Sequence, residues 1–185
     1  MASQMVELLV IAGISEAEIN LEIVLKLQEL LEQSGYTVIL TRSDENGIYD
    51  LDEDSIRDKK VSDLKNRVQL ANSEEADIFV SIHLNKIEQS QYYGWQTFYQ
   101  ENSEESKSLA EKIQNNLNYT IQKENKREIL ALSGKYIMDN VIIPTVTVEC
   151  GFLSNTQETQ NLITDSYQSE LAWGVYTGIV DYFIE

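Results

Sequence analysis

Three residues of this chain set chemically useful side chains at the ends of strands or at the start of a helix: Glu16, His83 and Glu149. Glu149 stands in "PTVTVECGFLSN", where four of the five residues before it are β-branched, the composition of a strand buried on both faces. A carboxylate there, just before Gly151, falls at the carboxyl edge of the sheet, where open α/β sheets bind ligands. Burying it is costly unless it is paired, lies near a metal, or serves as a base with a raised pKa. His83 is the single histidine of the chain. It ends the apolar run of "DIFVSIHLN" and is followed by polar Asn85, a position open to a core imidazole or to a reagent at a strand end. Glu16 opens a helix, where the macrodipole alone favours an acid. The Ser15/Glu18 capping box uses the other carboxylate of that turn, so Glu16 is left to point elsewhere. The three together supply a carboxylate ligand, an imidazole ligand and a candidate base. That is most of a catalytic zinc site, which takes three protein ligands and keeps one position for water, and it is one ligand short.

Other chemistries fit less well. Cys150 invites a thiol–imidazole pair with His83, but successive strand residues point to opposite faces, so a cleft-facing Glu149 turns Cys150 into the core. "IAGISEAE" runs from strand to helix with one glycine and two early acids where a phosphate would bind. The loop "SDENGIYDLDEDS" alternates Asp50, Asp52 and Asp54, but a calcium-binding EF-hand counted from Asp50 needs glycine and glutamate where Ser55 and Val61 stand, which leaves a solvated loop.

These side chains must be held by an α/β scaffold. Strands are predicted at 6–11, 36–42, 77–83, 95–100 and 144–150, with a short one near 135–138. Helices are predicted at 16–34, 57–74, 104–121 and 166–184, with a helical turn at 156–163. The alternation implies a single domain, residues 1–185, with a twisted, mostly parallel mixed sheet flanked by helices on both faces. Asn155 with Glu158, and Asp165 with Gln168, suggest further capping boxes. Gly35 suits a left-handed helix stop. Leu171, Val175, Ile179 and Tyr182 form one core-facing stripe. Tyr92, Tyr93 and Trp95 in "QYYGW" suit either sugar stacking or packing around a strand.

The chain has 185 residues with 31 acids against 14 lysines and arginines, a formal net charge of −17. Such a surface repels phosphate backbones, which argues against nucleic-acid binding. It also repels anionic wall polymers, so an envelope substrate must be held by local contacts. No apolar run approaches the ~20 residues of a membrane span. "MASQMVELLVIAG" lacks a basic region and fits a first strand better than an export signal.

With these residues in hand, the chain resembles the zinc-dependent N-acetylmuramoyl-L-alanine amidases of the Amidase_3 family, and most nearly the spore-cortex amidases of sporulating Gram-positive bacteria. The likeness rests on "EAEINLEIVLKLQELLEQSGYTVILTR", "NRVQLANSEEADIFVSIHLN" and "PTVTVECGFLSNTQE", with "GWQTFY" pointing to the spore-cortex group. The resemblance implies peptidoglycan hydrolysis between muramic acid and the peptide stem, by a water activated on Zn2+. It implies Glu16 and His83 as metal ligands, Glu149 as the group activating the water, and Asn85 as a substrate contact. It further implies action outside the cytoplasm, at the cell envelope or spore cortex, with a regulatory protein as a possible partner. One departure stands out. The family carries a glycine-rich turn with a first zinc-binding histidine before the Glu16 helix, whereas here "LLVIAG" meets "ISEAEINL" directly between Gly13 and Ile14. Either that turn is lost or the stretch is incomplete. A metal-free, non-catalytic wall-binding or regulatory relative is the alternative reading.

Overall fold

The computed structural model describes residues 15–44, 46–52 and 54–184; the strand expected at 6–11 and the Gly13–Ile14 junction lie outside them. In chain order the elements are α1 (Glu16–Gln33), α2 (Ile56–Ser73), β1 (Phe79–Asn85), β2 (Gln96–Gln100), α3 (Glu104–Ile121), β3 (Leu130–Leu132), α4 (Tyr136–Asn140), β4 (Thr145–Phe152), α5 (Thr156–Leu162) and α6 (Asp165–Ile184). The strands form one mixed sheet in the order β1-β4-β2-β3. The β1/β4 and β2/β3 pairs are parallel, and β2 runs antiparallel to β4.

Strand alternation sorts the side chains onto two faces. Ile82 and Leu84 of β1 and Val146, Val148 and Cys150 of β4 join Ile19, Ile23, Leu109, Ile113, Leu171 and Val175 in the main core, which α1, α3 and α6 cover. The opposite face carries Phe79, packed with Val68, Ala71 and Val141 beneath α2 and α4. Helices therefore flank both faces. Where α3 meets α6, Gly174 and Gly178 let the backbones approach closely: a Cβ on Gly178 would lie 2.5 Å from the Ile113 Cα.

Several local expectations change. Residues 36–42 form no strand. Burial still alternates there, with Tyr36, Val38 and Leu40 half-buried and Thr37 and Ile39 exposed, but no described strand lies alongside to complete a ladder. Side chains anchor the segment instead: Arg67 donates to Thr41 Oγ1 at 2.7 Å, and Arg42 donates to the Ala17 carbonyl at 2.7 Å. The segment near 135–138 is helical, not a strand; so short an apolar run fits either period, and the Asp139 carboxylate accepts from the Gly134 N–H to fix the turn. The strand of this region is β3, upstream. The Asp165/Gln168 cap is replaced by Thr164, whose hydroxyl accepts from the Tyr167 N–H, while Gln168 donates to the Leu162 carbonyl. Gly35 does adopt the left-handed conformation, φ +87°, and Leu171, Val175 and Ile179 are buried as one stripe. The loop before α2 is tied to that helix, Asp50 accepting from Ser62 and Asn66.

Candidate active site

Each site residue owes its place to a local rule. Ser15 caps α1: its hydroxyl accepts from the Glu18 N–H at 3.2 Å, and the Glu18 carboxylate accepts from the Ser15 N–H. These bonds, backbone first, hold the Glu18 carboxyl below its ordinary pKa. Glu16 is thereby left out of the cap, and its Oε1 lies 3.9 Å from His83 Nδ1. Both side chains remain partly open to solvent, 42% for Glu16 and 47% for His83.

Register then places the third residue. Glu149 is the direct partner of His83 across the parallel β1/β4 ladder, and of Gln96 across the antiparallel β4/β2 ladder. Directly opposed residues share a face, so His83, Glu149 and Gln96 form a row across three adjacent strands. The row sits at the carboxyl ends of β1 and β4, on the face away from the main core. Beyond it the register shifts, because Asn85 pairs with Phe152. Two strand steps on β1 match three on β4, so a bulge returns Phe152 to the face of Glu149.

Glu149 is electrostatically awkward. Its Oε2 is buried without a hydrogen-bond partner. Desolvation raises its pKa, His83 opposes that rise, and Glu16 adds to it. A carboxyl held this way is suited to taking and returning a proton. Cys150 points into the core with no exposure, and burial pushes its thiol pKa far up; it stands on the other face from His83 and forms no dyad with it. Asn85 is half-buried at the end of β1, and its carbonyl accepts from the Leu153 N–H at 2.9 Å.

A carboxylate that the sequence reading assigned to a cap does more. Asn155 caps α5 through the Gln157 and Glu158 N–H groups, but the Glu158 side chain turns inward rather than back to the cap. At 1% exposure it accepts from the Gly94 N–H at 3.0 Å and the Phe152 N–H at 2.9 Å, with Lys123 Nζ 3.4 Å away. This carboxylate joins the end of β4 to the loop before β2. The aromatic run divides. Trp95 is fully buried and donates to Asn118, whereas Tyr92 and Tyr93 are each 42% exposed beside the row. Gly94 is obligatory: φ is +90°, and a Cβ would lie 2.7 Å from Asn125 Oδ1.

A cavity of about 650 Å³ opens between α1, residues 39–42 and β1, with Glu16 and His83 on its wall. Its lining is mainly apolar, including Ile19, Val24, Ile78, Val80 and Ile82, and Glu149 does not border it. That surface has the chemistry of packed core, so the candidate cleft is the open side of the His83–Glu149–Gln96 row instead. Among the described residues no group of three or more His, Cys, Asp and Glu is disposed to hold a metal ion.

Comparison with known proteins gives matches over most of the chain. The profile of the N-acetylmuramoyl-L-alanine amidases, Amidase_3, matches residues 8–181. The chain is 34% identical over 170 residues to the germination-specific N-acetylmuramoyl-L-alanine amidase of Bacillus subtilis, covering 92% of this chain and 71% of that protein. It is 30% identical to the amidase LytC of the same organism, covering 92% of this chain but only 32% of that longer protein. Among solved structures, the CwlD amidase of Clostridioides difficile, in complex with the GerS lipoprotein, superposes with a TM-score of 0.87 at 44% identity, over 90% of this chain and 85% of that one.

Proposed function

Because the chain belongs to the N-acetylmuramoyl-L-alanine amidase family, we propose that it hydrolyses the amide between N-acetylmuramic acid and L-alanine of peptidoglycan with Glu149 as its proton-transferring group. The observation that carries this reading is the buried, unpartnered Oε2 of Glu149 in one row with His83. The donors beside it are of the right chemistry for zinc, but Glu16 Oε1 and His83 Nδ1 are 3.9 Å apart, wider than the roughly 3.3 Å between two ligands of a tetrahedral ion bonded at about 2 Å, so the pair must close slightly to share one. Those two residues would hold the ion, which when bound would polarise the scissile carbonyl and acidify water. Glu149 takes a proton from the attacking water and delivers it to the departing amine of L-alanine. Asn85, next on the same face of β1, is read as a substrate contact.

We assign all of 1–185 to one catalytic domain, one donor short of a complete zinc set at the Gly13–Ile14 junction. Action outside the cytoplasm accords with the wall substrate, and no helix among the described residues is long and apolar enough to cross a membrane. A protein partner like the lipoprotein bound to CwlD is part of the same proposal. The test is release of peptide stems from purified peptidoglycan by zinc-supplemented protein, against a Glu149→Gln control. Release that survives in the variant removes Glu149 from the chemistry.

A further inference from the structure

Beside Gln96, in the segment leading to β3, lies Arg127. Its Nε donates to the Tyr93 carbonyl at 2.9 Å and its Nη1 to Gln96 Oε1 at 3.2 Å. The guanidinium lies 4.4 Å from the centroid of Phe152, the ring that the bulge returns to this face, and 5.6 Å from that of Tyr92. Two hydrogen bonds and two rings therefore fix an extended side chain that is normally mobile, so little rotamer freedom remains to be lost on binding. Gln96 is itself held, donating to the Glu128 carbonyl at 2.8 Å.

What Arg127 lacks is an acid. The chain has 31 acids for 14 lysines and arginines, and the neighbouring Lys123 pairs with buried Glu158. Arg127 forms no ion pair among the described residues. The edge of the guanidinium carrying Nη2 makes no hydrogen bond there either, and a planar fork with a free edge is matched to a carboxylate. The glycan side of a muramoyl-peptide has no free carboxylate near the scissile amide, because the lactyl acid is consumed in forming that amide. The peptide side carries carboxylates.

We propose that Arg127 binds a free carboxylate of the peptide stem and so fixes the stem relative to Glu149, making it a specificity-determining residue of the amidase site. The inference rests on the amidase reading, but its test is a binding measurement. Synthetic muramoyl-dipeptides would be titrated calorimetrically into the metal-free protein, with the stem carboxylates free or capped as carboxamides one at a time. Wild type should bind the free form about tenfold more tightly than one of the capped forms, and which cap matters identifies the carboxylate. Arg127→Gln should bind free and capped forms alike, at the affinity wild type shows for the capped one. Arg127→Lys, which keeps the charge but loses the fork, should restore part of the preference. Equal binding of free and capped forms by wild type overturns the proposal. So does an Arg127→Gln variant that weakens both forms by the same factor, since that marks a packing role. Stem release from peptidoglycan is scored separately. Release without carboxylate preference sinks this inference alone, and carboxylate-dependent binding without release, even after a histidine-bearing turn is inserted between Gly13 and Ile14, sinks the amidase reading alone.

Discussion

Glu149 is the residue where folding and chemistry pull in opposite directions. Burial raises its pKa above the ordinary 4.5, so the folded protein holds that proton more tightly than the unfolded chain does. The stability this contributes is fully present below the ordinary value and is lost as pH rises through the raised one. Glu149→Gln should therefore melt above wild type at neutral pH. The gap should close near pH ~4, where both side chains are neutral. Scanning calorimetry of chelator-treated protein across that range checks it, and equal melting at every pH would refute it. The same variant should lose hydrolysis while keeping its zinc stoichiometry; loss of both would make Glu149 a ligand. The presence and placement of Glu149 were legible from its β-branched strand and the glycine after it. The function of Arg127 was not, because "KENKRE" carries no periodicity and the partners that fix it, Tyr93, Gln96 and Phe152, come from two distant segments.

Among the elements, the α3/α6 contact is the tightest constraint on the scaffold. A methyl group on Gly178 would meet the Ile113 backbone at 2.5 Å, and one on Gly174 the Leu117 Cα at 3.1 Å. Backbone atoms yield only by moving a helix, so Gly178→Ala should destabilise by about 3 kcal/mol despite the better helix propensity of alanine. Gly35→Ala, with nothing near its Cβ but φ at +87°, should cost about 1 kcal/mol. Urea denaturation of the two variants tests the order; a Gly178 variant as stable as wild type would mean the helices can separate freely. Helix positions were legible because apolar stripes and caps are local. The Asn155/Glu158 box was half right for an instructive reason. Spacing identifies a carboxylate three residues after a cap, but only the fold offers it the Gly94 and Phe152 N–H groups instead. For residues 36–42 alternation was legible, while strand status depends on a neighbour.

At the scale of the whole molecule, charge and metal ligands decide what the site can do. If Glu16 and His83 are the ligands, as proposed, two protein donors would hold a zinc ion less firmly than three would. The chain should therefore bind zinc weakly and hydrolyse peptidoglycan poorly. Insertion of a glycine-rich, histidine-bearing turn between Gly13 and Ile14 should strengthen both, read by zinc titration and stem release; tight binding without the insertion would show the ligand assignment to be wrong. The net charge of −17 repels an anionic polymer over distances that salt controls, ~30 Å at 0.01 M and ~8 Å at 0.15 M. KM for intact peptidoglycan should therefore fall as salt rises over that range, the reverse of the behaviour of a nucleic-acid-binding protein. A KM that climbs with salt would point to a basic docking patch that outweighs the global charge.

The burial of Cys150 gives the molecule a built-in clock. It is the chain's single thiol, fully enclosed on β4 next to Glu149. A maleimide or disulfide reagent can reach it only when that strand opens, so the labelling rate divided by that of the unfolded chain measures the free energy of opening at the strand that carries Glu149. Ligands that close the site should slow this clock without any reporter being engineered.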